Sequence, residues 1–370
     1  MLDFLPSFLR TPLAFGIVLG VLVFIHELGH YLAARWCGVH VETFSIGFGK
    51  AIVSWTDRLG TVWKIAWLPL GGYVKLHGLE RPEDVSDAVK ASWQPGRTFH
   101  GKSLGQRAIV IAAGPFANFV LAAVLFTALF AVVGRGVVVP VVGEVIADSA
   151  AAHGGLQTGD RITAIDGRPI ERFEQIQRSV AASPGQPLRL TVSSGGVSHD
   201  LTVTPAAETS KGHAIGILGI RGGAIEYHRL SPLQALPAGL EETWEVTRTT
   251  VVALWGMIVR TQSTDDLSGP LGIARLSGQV AALGVASLVS LIAVLSANLG
   301  LFNLFPIPVL DGGHLVFYLA EALRGRPLPP RAQEYSFRAG LALLAGLFVF
   351  ATWNDLSHIG IVRWVVSLIG

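Results

Sequence analysis

The sequence predicts a membrane α-helical bundle of about four transmembrane helices, with a membrane-associated β-loop and an inserted α+β domain. Three observations carry that prediction. Of 370 residues, 51% are apolar and only 15% charged, with a mean hydropathy of +0.51, too apolar for an ordinary soluble domain. Four segments are apolar over lengths that approach or reach the thickness of a bilayer. Between the second and third, the chain changes to short β-branched runs separated by turn residues.

The first span is Pro12 to Ala34, about twenty-three residues. One early basic residue, Arg10, an early acid, Asp3, and no clear small-residue cleavage site favour a retained span over a cleaved signal peptide. The second, Ala108 to Val133, is apolar except for Asn118 and small polar residues. The third is roughly Ala281 to Phe305. The fourth, Ala339 to Trp353, is short at about fifteen residues. A last apolar stretch, Ile359 to Ile369, is too short to span, carries Arg363 and fits an interfacial position. Ten Lys/Arg lie between Arg35 and Arg107, and Arg324, Arg326, Arg331 and Arg338 precede the fourth span. The positive-inside rule puts both segments on the cytoplasmic side and the inserted domain outside it.

Residues 1–135 are thus expected to hold two spans and, at about 41–77, a β-loop for which a sheet at membrane depth and a cytoplasmic hairpin are equal readings. In that loop, Gly47-Phe48-Gly49 precedes aromatic-rich runs at Trp63 to Trp67 and Gly72 to Leu76. A sheet at membrane depth must be buried in protein or line a wet cavity, and its edge can accept an extended peptide. Glu80 to Arg97, with Pro82 and Pro95, reads as a flexible link. Residues 136–226 form the inserted domain. Val137 to Val142 is a strand and Gly155 to Asp160 a turn. Arg161 to Ile165 leads into the Asp166-Gly167 turn, Glu171 to Ala182 is a helix, and Leu188 to Val203 is a hairpin about Ser194-Gly195-Gly196. This order resembles a circularly permuted bacterial PDZ domain, in one copy. Residues 227–280 are a linker with an amphipathic helix, Pro237 to Arg260, for which lying on the membrane surface and packing on the PDZ-like domain are equal readings. Residues 281–370 hold spans three and four.

A net charge of +2 gives no basic surface for nucleic acid. The single cysteine, Cys37, leaves no disulfide partner and excludes a thiolate zinc finger.

The chemistry concentrates in two places. His26-Glu27-Leu28-Gly29-His30 closes the first span. A helix puts His26 and His30 one turn apart on one face, where two imidazoles can grip one zinc ion. Glu27 lies beside them as general base. Ionisable groups at that depth are costly and point to function. Zinc needs a third protein ligand and an open fourth position. Asp311, in Asn303-Leu304-Phe305-Pro306-Ile307-Pro308-Val309-Leu310-Asp311-Gly312-Gly313-His314, is the candidate. The prolines and the Gly pair are expected to break the third helix and aim the carboxylate inward. Asn118 has the chemistry of interhelical glue, and His314 reads as interfacial.

HELGH in the first span, GPFANF at Gly114 to Phe119 in the second, one PDZ-like insert and NLFPIPVLDGGH after the third together resemble the site-2 protease family (peptidase M50). The resemblance is to its bacterial RseP-type intramembrane zinc metalloproteases. It implies Zn2+ held by His26, His30 and Asp311, and Glu27 as general base. It also implies a substrate-binding role for Asn303 and, in the re-entrant loop, for Gly47, Phe48 and Gly49. The implied activity is regulated intramembrane proteolysis, in the bacterial inner (cytoplasmic) membrane, with the site nearer the cytoplasmic face. Its substrate would be a pre-cleaved single-pass membrane protein such as an anti-sigma factor or remnant signal peptide. The alternative is a membrane PDZ scaffold or chaperone with a non-catalytic zinc site.

Overall fold

The structure is a computed structural model that describes residues 6–79, 85–210, 213–259 and 269–358. The chain divides into two compact units, Met1–Leu129 with Pro232–Gly370, and Phe130–Ser231. The first opens with α1 (Ser7–Trp36), β1 (Val41–Thr56), β2 (Val62–Leu76), α2 (Asp87–Ala91) and α3 (Leu104–Val132). The second contains β3 (Arg135–Val138), β4 (Val142–Val145), α4 (Ala150–His153), β5 (Arg161–Ile165), β6 (Arg168–Pro169), α5 (Phe173–Ala181), β7 (Leu188–Ser194) and β8 (Val197–Val203). It ends with β9 (Ala206–Ser210), β10 (His213–Ile217), β11 (Ile220–Gly222) and β12 (Ile225–His228). The first unit then resumes with α6 (Pro232–Ile258), α7 (Pro270–Ala282), α8 (Val285–Asn303), α9 (Asp311–Arg324) and α10 (Pro330–His358).

Four helices, α1, α3, α8 and α10, are long and apolar enough to cross a bilayer. The fold is a membrane helical bundle with an inserted PDZ-like domain. The fourth span is longer than its hydropathy predicts. α10 runs from Pro330, and its early turns carry Glu334 and Arg338, exposed and paired at 2.6 Å across i,i+4. Charge lowers the hydropathy there without ending the helix. The stretch 359–369, together with Glu80, Pro82 and Arg260, lies outside the described residues.

Side chains from α1, α3 and α8 share one core: Val18 and Leu22, Leu121 and Leu125, and Ile292 with Leu295 and Leu299. Small residues set how closely these helices approach. A Cβ on Gly29 of α1 would overlap the Ala113 carbonyl of α3, and one on Gly300 of α8 would lie 2.9 Å from the Pro115 oxygen. Two helices lie in segments read as linkers. α7 starts with Pro270 in its first turn, where the missing N–H is harmless. Asp355 of α10 accepts from the main-chain N–H groups of Gly269 and Gly272, both at 2.9 Å. α9 is the second and begins on Asp311 itself.

α6 is amphipathic in an unexpected sense. Its small side, Ala235, Ala238, Gly239 and Thr243, is buried, and a Cβ on Gly239 would lie 2.8 Å from the Ala123 oxygen of α3. Thr250 donates to Asn298 of α8 at 2.8 Å. Leu233, Leu236, Leu240, Trp244, Trp255 and Ile258 face outward. The helix therefore packs along α3 and α8 and turns a large apolar stripe away from them.

The β-loop is a folded-over hairpin. Thr43 to Ile46 is paired on both sides, with Lys75 to Gly72 and with Val62 to Ile65, while Val53 to Thr56 pairs with Ile65 to Val62. Gly47 and Gly49, at φ 87° and 89°, make the reversal that this requires. Phe44 anchors the sheet to α1, stacking on Trp63 and meeting Tyr31 and Phe24 edge-on. Among the described residues, Gly72–Leu76 has no strand on its second side.

The second unit folds around an apolar core of Val142, Leu156, Ile162, Phe173, Ile176, Leu190 and Val192. Its main sheet has the order β6-β5-β7-β8. Asp166 and Gly167, at φ 48° and 75°, and Gly195 and Gly196, at 57° and 89°, make the two tight hairpin turns. The single strand read at 137–142 is two strands, β3 and β4, interrupted at Pro140.

Candidate metal centre

α1 holds His26 and His30 with their Nε2 atoms 3.2 Å apart. Asp311 Oδ2, nearly three hundred residues away in sequence, lies 3.2 Å from the first and 3.5 Å from the second. Donors about 2.0–2.1 Å from a tetrahedral zinc ion stand about 3.3 Å from one another. The observed spacings match that edge length. Asp311 Oδ2 is also buried without a hydrogen-bond partner, a costly state that a cation relieves. Among the described residues, these are the three His and acid groups placed to share one ion.

Asp311 reaches the pair by a different route from the histidines. α8 ends at Asn303, and Pro306 and Pro308 prevent its continuation. Val309 takes φ 119°, a strained value for a β-branched residue. α9 then starts with Asp311 in its first turn, where the helix dipole favours a carboxylate. The Gly pair does not break a helix here, contrary to the sequence reading. Gly312 and Gly313 are helical, and a Cβ on either would overlap main-chain atoms of Leu304 and Phe305, or of Ile307. They let α9 fold tightly back on the proline turn. A Cβ on Gly340 of α10 would overlap the Pro308 carbonyl, so α10 closes on the other side of the same turn.

α3 backs the two histidines. His30 Nδ1 donates to the Val110 carbonyl at 2.9 Å, leaving Nε2 free to bind. Gly114 is required beside it, since a Cβ there would overlap the His30 ring. Asn118, fully buried, places its amide 3.1 Å from His26 Nδ1.

The centre opens into a cavity of about 530 Å³. Glu27, 8% exposed, lies in its wall, and the Val74 main chain hydrogen-bonds its carboxylate. Asn303 lines the same cavity and donates to Leu299 O at 3.1 Å. Gly47, Phe48 and Gly49 do not line it. Phe48 instead stacks on Tyr73, and it is the β2 segment, Gly72, Tyr73, Val74 and Leu76, that forms the wall. His314, read as interfacial, lines the cavity too. So do Arg107 and Glu321, an ion pair at 2.7 Å that the sequence reading missed. The available signal was spacing: His314, Tyr318 and Glu321 follow Asp311 at helical steps along one face of α9.

Three comparisons bear on this geometry. Residues 14–347 match the profile described as Peptidase family M50. An Agrobacterium fabrum protein whose name describes a zinc metalloprotease, Atu1380, is 44% identical over 358 residues, covering 93% of this chain and 95% of that one. The Regulator of sigma-E protease RseP of Escherichia coli is 33% identical, with 95% of this chain and 100% of that one covered. Among solved structures, the PDZ domain of an SdrC-like protein from Listeria innocua is 23% identical, with a TM-score of 0.21. It covers 25% of this chain and 100% of its own. A profile match that spans both the histidine helix and the aspartate turn makes the chain a member of peptidase family M50.

Proposed function

We propose that this protein is an intramembrane zinc endopeptidase acting in regulated intramembrane proteolysis in a bacterial inner membrane. The observation that carries the reading is the convergence of His26, His30 and Asp311 at zinc spacing, with Glu27 in the wall of the same cavity. His26 Nε2, His30 Nε2 and Asp311 Oδ2 are the proposed ligands. Zinc held there would supply Lewis acidity toward a peptide carbonyl and acidify a water. Glu27 takes a proton from the attacking water and returns it to the leaving amine nitrogen. The outer edge of Gly72–Leu76, which pairs with no further strand among the described residues, receives the substrate as an added strand. Asn303 holds that strand or polarises its carbonyl, and the Gly47-Phe48-Gly49 reversal shapes the loop. A transmembrane substrate must unwind before it binds so, because a helix hides its amides in its own hydrogen bonds.

The substrate class we propose is a single-pass membrane protein already shortened by another protease, an anti-sigma factor or a remnant signal peptide. The Escherichia coli relative is named as a regulator of sigma-E. In the second unit, a groove of about 310 Å³ runs between Phe173, Ile176 and Val180 of α5 and the stretch Gly216–Ile220. Its form suits recognition of a new carboxyl end, and we place this unit outside the cytoplasm. A closed structural zinc site takes four protein ligands; the described residues supply three, which favours catalysis over a scaffold. The test is Glu27→Gln in purified protein in detergent. Cleavage of a model transmembrane substrate is expected to fall at least about 100-fold with zinc content unchanged. Full activity in that variant would remove Glu27 from the mechanism.

A further inference from the structure

We infer that Asn118 is a positioning residue for the metal centre: its side-chain oxygen accepts a hydrogen bond from His26 Nδ1–H and so fixes the tautomer in which Nε2 binds zinc. This rests on the zinc reading above and deepens it. His26 turns Nε2, not Nδ1, toward Asp311 and His30. A neutral imidazole that binds through Nε2 carries its proton on Nδ1, which must then find an acceptor. The nearest group is the Asn118 amide at 3.1 Å.

The amide stands with Nδ2 toward His26, while Asn118 Oδ1 is buried with no hydrogen-bond partner. Two donors cannot share one proton. The two ends of an amide are nearly the same size, and a half-turn of the group exchanges them. That rotation brings Oδ1 onto the Nδ1 proton and satisfies the orphaned oxygen. The surroundings keep the group in place. Asn118 is 0% exposed, and Ser296 of α8 donates to its main-chain oxygen at 2.8 Å. α3 thus serves both ligands, through a main-chain carbonyl at Val110 for His30 and a side-chain carbonyl at Asn118 for His26. Helix-to-helix glue alone needs no such aim at an imidazole.

The test is zinc affinity of the full chain in detergent, measured by competition with a chromogenic chelator. Asn118→Ala is expected to weaken zinc about 10–100-fold, the loss that follows removal of a ligand's outer partner. Asn118→Asp, which keeps an acceptor at the same reach, is expected to restore affinity to within a few-fold. Equal affinity in the parent and in Asn118→Ala overturns the inference and leaves the zinc site standing. A parent that binds no zinc overturns both. Should Asn118→Ala fail to fold, nitrogen NMR of the zinc-loaded parent labelled at histidine decides the point. Nδ1 of His26 is expected to carry a proton, and coordination through Nδ1 overturns the proposal.

Discussion

The two halves of the candidate metal centre are built by opposite means. His26 and His30 sit in the C-terminal half of a thirty-residue helix, and their mutual geometry follows from one helical turn. Asp311 sits at the start of a fourteen-residue helix, after two prolines and a strained valine, where Gly312 and Gly313 pack on the proline turn and Gly340 of α10 packs on Pro308. The first half takes its spacing from one helix, with α3 behind it. The second is assembled from outside, by glycines that let main chains meet. The aspartate half is therefore the one that packing changes should break.

The largest effect is expected from the ligands themselves. Asp311→Asn removes the one anionic ligand of the proposed set. It should weaken zinc beyond the about 10–100-fold loss that an outer partner brings, read by chelator competition. Retention of parental affinity would remove Asp311 from the centre.

A paired substitution sharpens the contrast. Gly340→Ala drives a methyl into the Pro308 carbonyl, whereas a methyl on Gly346 of the same helix meets nothing within 4 Å. The first is expected to cost about 1–3 kcal/mol and to weaken zinc. The second should be neutral or stabilising by up to about 1 kcal/mol from helix propensity. Thermal unfolding in detergent with and without zinc separates them; equal behaviour of the two refutes the packing account of the aspartate half. Gly114→Ala makes the corresponding test on the histidine side, since its methyl would displace the His30 ring. Lower zinc affinity is expected while the unfolding midpoint of the zinc-free protein stays within a few degrees.

The smallest effect lies in the β-loop. Burial pushes the Glu42 carboxyl up, but hydrogen bonds from Lys75 and His77, both at 2.7 Å, outweigh it and hold the group below its ordinary value. A lowered carboxylate stabilises the fold above its unfolded pKa of about 4.3, and that contribution disappears as pH falls through the lower folded value. His77 also accepts from the Gln94 N–H at 3.0 Å, so the pair ties residue 94 to the sheet. Glu42→Gln is expected to cost under about 1 kcal/mol at pH 7, and progressively less as pH falls below about 4, by denaturant titration.

The same contrast decides what the sequence discloses. The histidine pair, the spans and the alternation of the inserted domain are periodic, and periodicity survives in one dimension. α9 was hidden because Gly312 and Gly313 have the composition of a break, and their helical state is settled by Leu304 and Ile307 packed against them. The wall that Gly72 to Leu76 forms is not legible, since nothing local says that this stretch folds across Thr43 to Ile46. Asn118 read as glue, because its aim at His26 exists only once α3 crosses α1.

On the proposed mode of binding, the outer edge of Gly72–Leu76 reads peptide groups, and peptide groups are alike in every protein. Discrimination at that step must come from how easily a segment sheds its own coil. Glycine, proline or asparagine near the scissile bond should therefore govern which membrane stubs are cut, more than any consensus of side chains.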